Sequence, residues 1–194
     1  MPEPIWNNTL EQFRDRVAGL EPAPAGVTAA AVSATFGFGL LTKVLAIASK
    51  RKDFAGDREL VRTLLDAAHA QSQIVSQLAD EDIAAFDEYL SCLRRKQPSG
   101  ASIRKAIEVP LNVARAAASG LGLCHQAKDL IHAFVAPDLG TAAALLSAAA
   151  RSTLLTVEFN LQQLPENDPY RIEVMGEVIE GLENERRSRA GMQP

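Results

Sequence analysis

The sequence predicts an all-α protein: a single-domain helical bundle of six to eight helices with long central helices. Three observations carry this. Alanine takes about a sixth of the 194 residues while aromatics make up only 5%, which suits helices packed closely on small side chains better than the β-branched, aromatic-rich usage of sheets. Apolar positions recur at three- and four-residue spacing through most of the chain. Helix caps and Pro or Gly breaks punctuate these runs, and strand signals are almost absent. With 47% hydrophobic residues the chain can bury one sizeable core, so 1–194 reads as one domain with a polar tail from about 184. A formal charge of −4 lacks the positive footprint that nucleic acid or an anionic membrane surface demands.

Thr9-Leu10-Glu11-Gln12 is a capping-box signature opening a first helix over about 9–20, with Leu10, Phe13, Val17 and Leu20 on one face. The prolines at 22 and 24 and Gly26 break it. From Val27 a long apolar helix runs to Lys50-Arg51-Lys52, where positive charge suits the negative end of the helix dipole. Gly37 and Gly39 lie inside this helix at a cost of about 1 kcal/mol each against alanine, which implies close approach of a neighbour. Asp57 caps a third helical stretch over 58–95, one long bent helix or two in near-continuity, with Asp80 or Glu81 at a kink or new cap. Residues 96–100 form the clearest loop. A helix from about 101 accommodates Pro110 and runs toward Gly120, where Gly120-Leu121-Gly122 is a break or a tolerated weak point before a segment at 121–134. Pro137-Asp138 starts another long helix, with Asp138 as its cap, reaching about 164. After the loop at 165–169 a last helix places Ile172, Val174, Met175, Val178, Ile179 and Leu182 inward and frays from Asn184.

Residues 22–42 carry no charge and are long enough to cross a bilayer, but they are filled mostly by small residues, so a central helix buried on nearly all sides is the better reading. No secretory signal is readable, which makes the cytoplasm the expected location. Cys92 and Cys124, with no second pair, have neither zinc nor disulfide spacing and read as buried or free thiols. His69, His125 and His132 belong to no dense ligand pattern, so no metal site is expected.

The most informative carboxylate is Asp82 in Asp82-Ile83-Ala84-Ala85-Phe86. It lies three before Ala85 and four before Phe86, on or beside the apolar face of its helix. It is either a solvated acid or cap at a kink, or a carboxylate at the mouth of a pocket, where burial makes it a usable base or a holder of a cationic ligand.

Several fragments then occur in one order: Thr9 to Phe13 ahead of Pro24-Ala25-Gly26, the basic cluster 50–52, the Asp82–Phe86 run, Glu108-Val109-Pro110-Leu111, Asp138-Leu139-Gly140-Thr141-Ala142, and Phe159-Asn160-Leu161. In this order the chain resembles the formiminotetrahydrofolate cyclodeaminase and methenyltetrahydrofolate cyclohydrolase family over about 9–170. The resemblance implies an all-α homodimer that binds a folate-type small molecule and acts on the one-carbon unit bridging N5 and N10 of tetrahydrofolate, with the folate as substrate and no separate cofactor. It implies Asp82 as the central catalytic acid or base. It further implies Asp138 and Asn160 as anchors for the pterin, Lys50, Arg51 and Lys52 for the glutamate tail, Gly26 as a backbone contact, and His132 as a group newly standing at a site position. The alanine-rich helices would pack across the dimer's two-fold axis.

The chain departs from the family at polar positions. Two of three expected glycines at the second helix start are Ala25 and Val27, Pro137 stands for a serine, and Thr156 for an asparagine. The alternative reading is therefore a divergent, non-catalytic helical dimer that binds a pterin-like ligand or only a protein partner.

Overall fold

A computed structural model describes residues 3–52, 54, 56–95 and 100–191, the last four of these by backbone alone. Within them the architecture is all-α: α1 (Leu10–Val17), α2 (Gly26–Lys50), α3 (Arg58–Arg94), α4 (Gly100–Ala127), α5 (Ala136–Leu161) and α6 (Pro169–Gly191), with short 3-10 turns at Ile5–Asn7 and Ala133–Val135. The predicted loop at 96–100 lies, apart from Gly100, outside the described residues. Helices α2 to α5 form a ring in which each packs on the next and α5 closes back on α2, while α6 lies along α4 and α5. The main core fills that ring, and a second cluster around Ile107, Leu111, Leu154, Val157 and Val174 seats α6.

Local chemistry explains most boundaries. Thr9 and Gln12 form the expected capping box, each backbone N–H donating to the other's side chain at 2.7 and 3.1 Å. Helix α1 nevertheless stops at Val17, and of its predicted face only Phe13 packs on the core; Leu10, Val17 and Leu20 are exposed. The turn before α1 takes the burial instead. Ile5 is buried and donates its N–H to Asp80 Oδ1 at 2.8 Å, and the Trp6 indole donates to the Ser76 carbonyl at 3.0 Å. Asp80 therefore anchors the N-terminal turn and marks no break, and α3 runs unbroken for 37 residues from the Asp57 cap.

Three further expectations are corrected by packing. Helix α4 passes straight through Gly120 to Ala127, because Gly120 is a contact point and not a breaker: a Cβ there would sit 2.6 Å from the Phe38 ring. Helix α5 starts at Ala136 with Val135 as its cap residue, and Asp138 sits in the first turn, paired with Lys43 at 2.8 Å. In α6, Val174 and Val178 are buried but Ile172 and Ile179 face out, and the helix continues past Asn184 to Gly191, tied in by the Ser147 hydroxyl donating to buried Glu185.

Helices α2 and α5 are antiparallel, as Lys43 with Asp138 and Gly37 against Ala142 and Leu146 require. A Cβ at Gly37 would lie 2.9 Å from Leu146 Cγ and 3.1 Å from the Ala142 carbonyl, so this glycine is the close approach that the sequence implied. By length and composition both helices are apolar enough to cross a membrane, yet only 50% and 44% of their most apolar windows are buried. In α2 the exposed residues, Gly26, Phe36, Gly39, Lys43, Ile47 and Lys50, fall on one narrow strip, so this helix is covered on most sides, as the sequence implied, while α5 is the more open of the two.

Candidate functional site

Asp82 lies about two-thirds of the way along α3, half-buried and facing the first turn of α2. That turn begins at Ala25, which has no side chain able to cap it, and its free N–H groups form the positive end of a 25-residue helix. Asp82 supplies what is missing. Its Oδ2 accepts the Thr28 hydroxyl at 2.6 Å, and the Thr28 backbone amide bonds to the same carboxylate. Burial raises the Asp82 carboxyl above its ordinary range, because the charged form loses water, and the two Thr28 hydrogen bonds oppose that rise. The group is thus held in one orientation with its affinity for a proton increased.

The carboxylate borders a cavity of about 250 Å³ between the N-terminal parts of α2 and α4, the C-terminal part of α5 and the Asp82–Phe86 stretch of α3. Phe86 and Phe159 give it aromatic sides, Gly26 and Ala25 an open backbone edge, and Thr156 and Asn160 polar points. Nothing lies within 4 Å of where a Gly26 Cβ would stand, so the helix amide there is approachable from the cavity. Among the described residues the only formal charge on the walls is that of Asp82.

Asn160 is fixed by a defect in a neighbouring helix. Pro110 lies inside α4 and has no N–H, so the carbonyl four residues earlier, Ala106, has lost its helical donor. Asn160 Nδ2 donates to that carbonyl at 2.8 Å, an answer to an otherwise orphaned acceptor. With its NH2 engaged there, the Asn160 oxygen is its acceptor for whatever enters the cavity. The predicted accommodation of Pro110 is thus made by a side chain from α5.

Of the residues singled out in the sequence, Asp82, Gly26 and Asn160 converge on this cavity. The others do not. Lys50, Arg51 and Lys52 stand at the far end of α2, about 36 Å away at 1.5 Å per residue. Asp138 is at that far end too, bound to Lys43, and His132 is exposed before α5 with its Nδ1 accepting the Phe134 N–H at 3.1 Å. Thr28, Phe159 and Pro110 escaped notice as working residues. A lone hydroxyl in an apolar helix start was the signal for Thr28, and the four-residue offset of a helical proline from its orphaned carbonyl was the signal for Asn160's partner. Elsewhere, burial pushes the Cys124 thiol up to about 12, which keeps it protonated and inert. Among the described residues no three His, Cys, Asp or Glu side chains gather as a metal site.

Against known proteins, the family model described as formiminotransferase-cyclodeaminase matches residues 9–177. Methenyltetrahydrofolate cyclohydrolase of Methylorubrum extorquens is 25% identical over 81% of this chain and 81% of its own length. Formimidoyltransferase-cyclodeaminase of Sus scrofa is 25% identical over 97% of this chain but only 36% of its own, so the chain spans about a third of that relative. The crystal structure of formiminotetrahydrofolate cyclodeaminase from Thermotoga maritima superimposes with a TM-score of 0.83 at 20% identity, covering 97% of this chain and 93% of that one. At this identity the last match is a likeness of fold.

Proposed function

The chain belongs to the formiminotransferase-cyclodeaminase family, and from that membership and the Asp82 cavity we propose that it is an enzyme of folate one-carbon metabolism acting on the carbon that bridges N5 and N10 of a tetrahydrofolate. The observation that carries this reading is the half-buried, Thr28-oriented carboxylate facing a small cavity with aromatic sides. Both family reactions pass through a tetrahedral bridging carbon. In the cyclohydrolase direction water attacks the cationic amidinium carbon and Asp82 takes one of its protons, then returns that proton to the nitrogen whose bond to the carbon breaks, while the remaining hydroxyl proton is released to solvent as the formyl C=O forms. In the cyclodeaminase direction N10 attacks the formimino carbon, and Asp82 carries the N10 proton to the nitrogen that leaves as ammonia. A carboxylate suits both because it balances the positive amidine in the ground state and accepts a proton as the new bond forms.

The cavity is the size of a bicyclic pterin and smaller than a whole folate, so the aminobenzoyl-glutamate part extends past its mouth. Gly26 offers a backbone amide to the ligand and Asn160 an acceptor. We read the protein as a cytoplasmic homodimer that needs no cofactor beyond its folate substrate. The test is spectrophotometric. Purified protein is expected to accelerate the loss of methenyltetrahydrofolate absorbance or the release of ammonia from formiminotetrahydrofolate, and Asp82→Asn to run about 10²–10⁴-fold slower, the usual worth of a positioned acid or base. A wild-type protein that matches buffer with both substrates sinks the enzymatic reading in favour of a non-catalytic helical dimer.

A further inference from the structure

We propose that the Asp82 cavity is one half of a composite site, completed by Lys50 of a second copy of the chain docked antiparallel on the open face of α2 and α5. This rests on the folate reading for what the site binds, but the assembly itself is read from the helix surfaces. Gly26, Ala29, Ser33, Phe36, Leu40, Lys43, Ile47 and Lys50 alternate at three- and four-residue steps, one continuous seam with an average period of 3.5. All of them are exposed or only partly buried in the single chain. The seam is self-complementary: reversed about position 38, it maps Phe36 onto Leu40, Lys43 onto Ser33, Ile47 onto Ala29 and Lys50 onto Gly26. A two-fold axis perpendicular to α2 at that point makes such a contact isologous, each residue meeting its counterpart at the same level on the partner.

The face is apolar enough to need a cover. Phe36 is 49% exposed, Leu155 52% and Phe159 64%, and these stand on two helices long and apolar enough to cross a membrane, each with an exposed strip. Near the axis α5 presents Gly140, Thr141 and Ala144, small side chains that let two copies approach closely.

Charge selects the second copy over any other cover. The cavity at the Gly26 end has an anionic wall and, among the described residues, no Lys, Arg or His in its lining, while a cation at its mouth would pair with the anionic glutamate tail that leaves it. Lys50 is exposed at the opposite end of the same seam, about 36 Å away within one chain. The two-fold brings the partner's Lys50 to the mouth, and the separation of the candidate site residues over two ends of the bundle becomes the condition for assembling two equivalent sites.

The register is tested by cross-linking. Gly26→Cys and Lys50→Cys proteins are prepared separately, mixed through an unfolding and refolding step, and treated with a bismaleimide of about 10 Å reach, the spacing of packed helices. The native Cys92 and Cys124 are both buried, and wild type serves as the control. Covalent dimer linked between positions 26 and 50 is expected in the mixture and not in either single variant alone. Absence of that link, or linkage of either single variant to itself, overturns the proposal, and so does a monomer in sedimentation at micromolar concentration. Lys50→Glu is then expected to raise KM for a folate about two- to fivefold, more than it lowers kcat, as befits a solvent-exposed ion pair, with the effect fading as salt is added. A KM that ignores this substitution in a correctly linked dimer removes Lys50 from the site. A correctly linked dimer with no folate turnover supports the assembly and refutes the folate reading instead.

Discussion

In the proposed reaction Asp82 sets catalysis against stability. Its carboxyl is raised by burial, so folding favours the protonated form. That stability is complete below the unfolded value of about 3.9 and is lost as pH rises through the folded one. Asp82→Asn keeps an acceptor for Thr28 and carries no charge. It should therefore unfold at higher denaturant concentration than wild type at neutral pH, with the difference vanishing below about pH 4, while its turnover falls as stated above. Acting as a base, Asp82 must be ionised, so activity should decline on acidification through a pKa above the ordinary carboxylate range. Thr28→Val deletes one hydrogen bond that stabilises the ion; the acid limb should move to higher pH at a cost of about 1–3 kcal/mol in stability. Thr28→Ser should leave the limb where it was, and a limb insensitive to both changes separates Thr28 from the chemistry. Gly26→Ala should raise stability by about 0.4–1 kcal/mol, since its Cβ enters open space. Calorimetry should at the same time find weaker folate binding, because the methyl group blocks the approach to the helix amide.

Elements meet through gaps left in the sequence for each other. Gly37 and Gly120 are places where α2 touches α5 and where α4 receives Phe38 of α2. Gly37→Ala should destabilise by about 1–3 kcal/mol through overpacking, whereas Gly122→Ala, with nothing within 4 Å, should gain about 1 kcal/mol of helix propensity. Chemical denaturation of the two variants reads this difference directly, and equal effects would remove the packing role. The Pro110, Ala106 and Asn160 arrangement predicts a coupling of about 0.5–3 kcal/mol in a double-mutant cycle of Pro110→Ala with Asn160→Ala. Restoring an N–H at position 110 gives the Ala106 carbonyl a helical donor, so the loss of Asn160 should then cost less; additive effects would break the link between the proline and the site. Helix identity was legible wherever caps were local, as at Thr9 and Asp57. It stayed open at Asp80 and Gly120, since an acid that anchors a distant turn and a glycine that receives a distant ring look, in one dimension, like punctuation.

At the scale of the molecule, a four-helix ring with α6 along two of its members accounts for the alanine content: small side chains line helix contacts inside the ring and on its open face. A dimer formed on that face predicts a Tm that rises with protein concentration, because association stabilises only the folded chain. Phe36→Glu should abolish that dependence while far-UV circular dichroism stays helical. A Tm independent of concentration in wild type would argue against assembly through this surface. Two features of the protein were set by sequence alone. The first was its all-α class, since caps, helical periodicity and residue size act within a few turns of the chain. The second was the identity of Asp82 as a carboxylate on an apolar face, since that depends only on helical spacing. Which residues share a site was decided by tertiary structure. The antiparallel run of α2 against α5 carries Gly26 and Asn160 to Asp82 and sends Lys50 and Asp138 to the other end, and burial beside Thr28 turns an ordinary acid into an oriented one, because desolvation and hydrogen bonding exist only once the helices have packed.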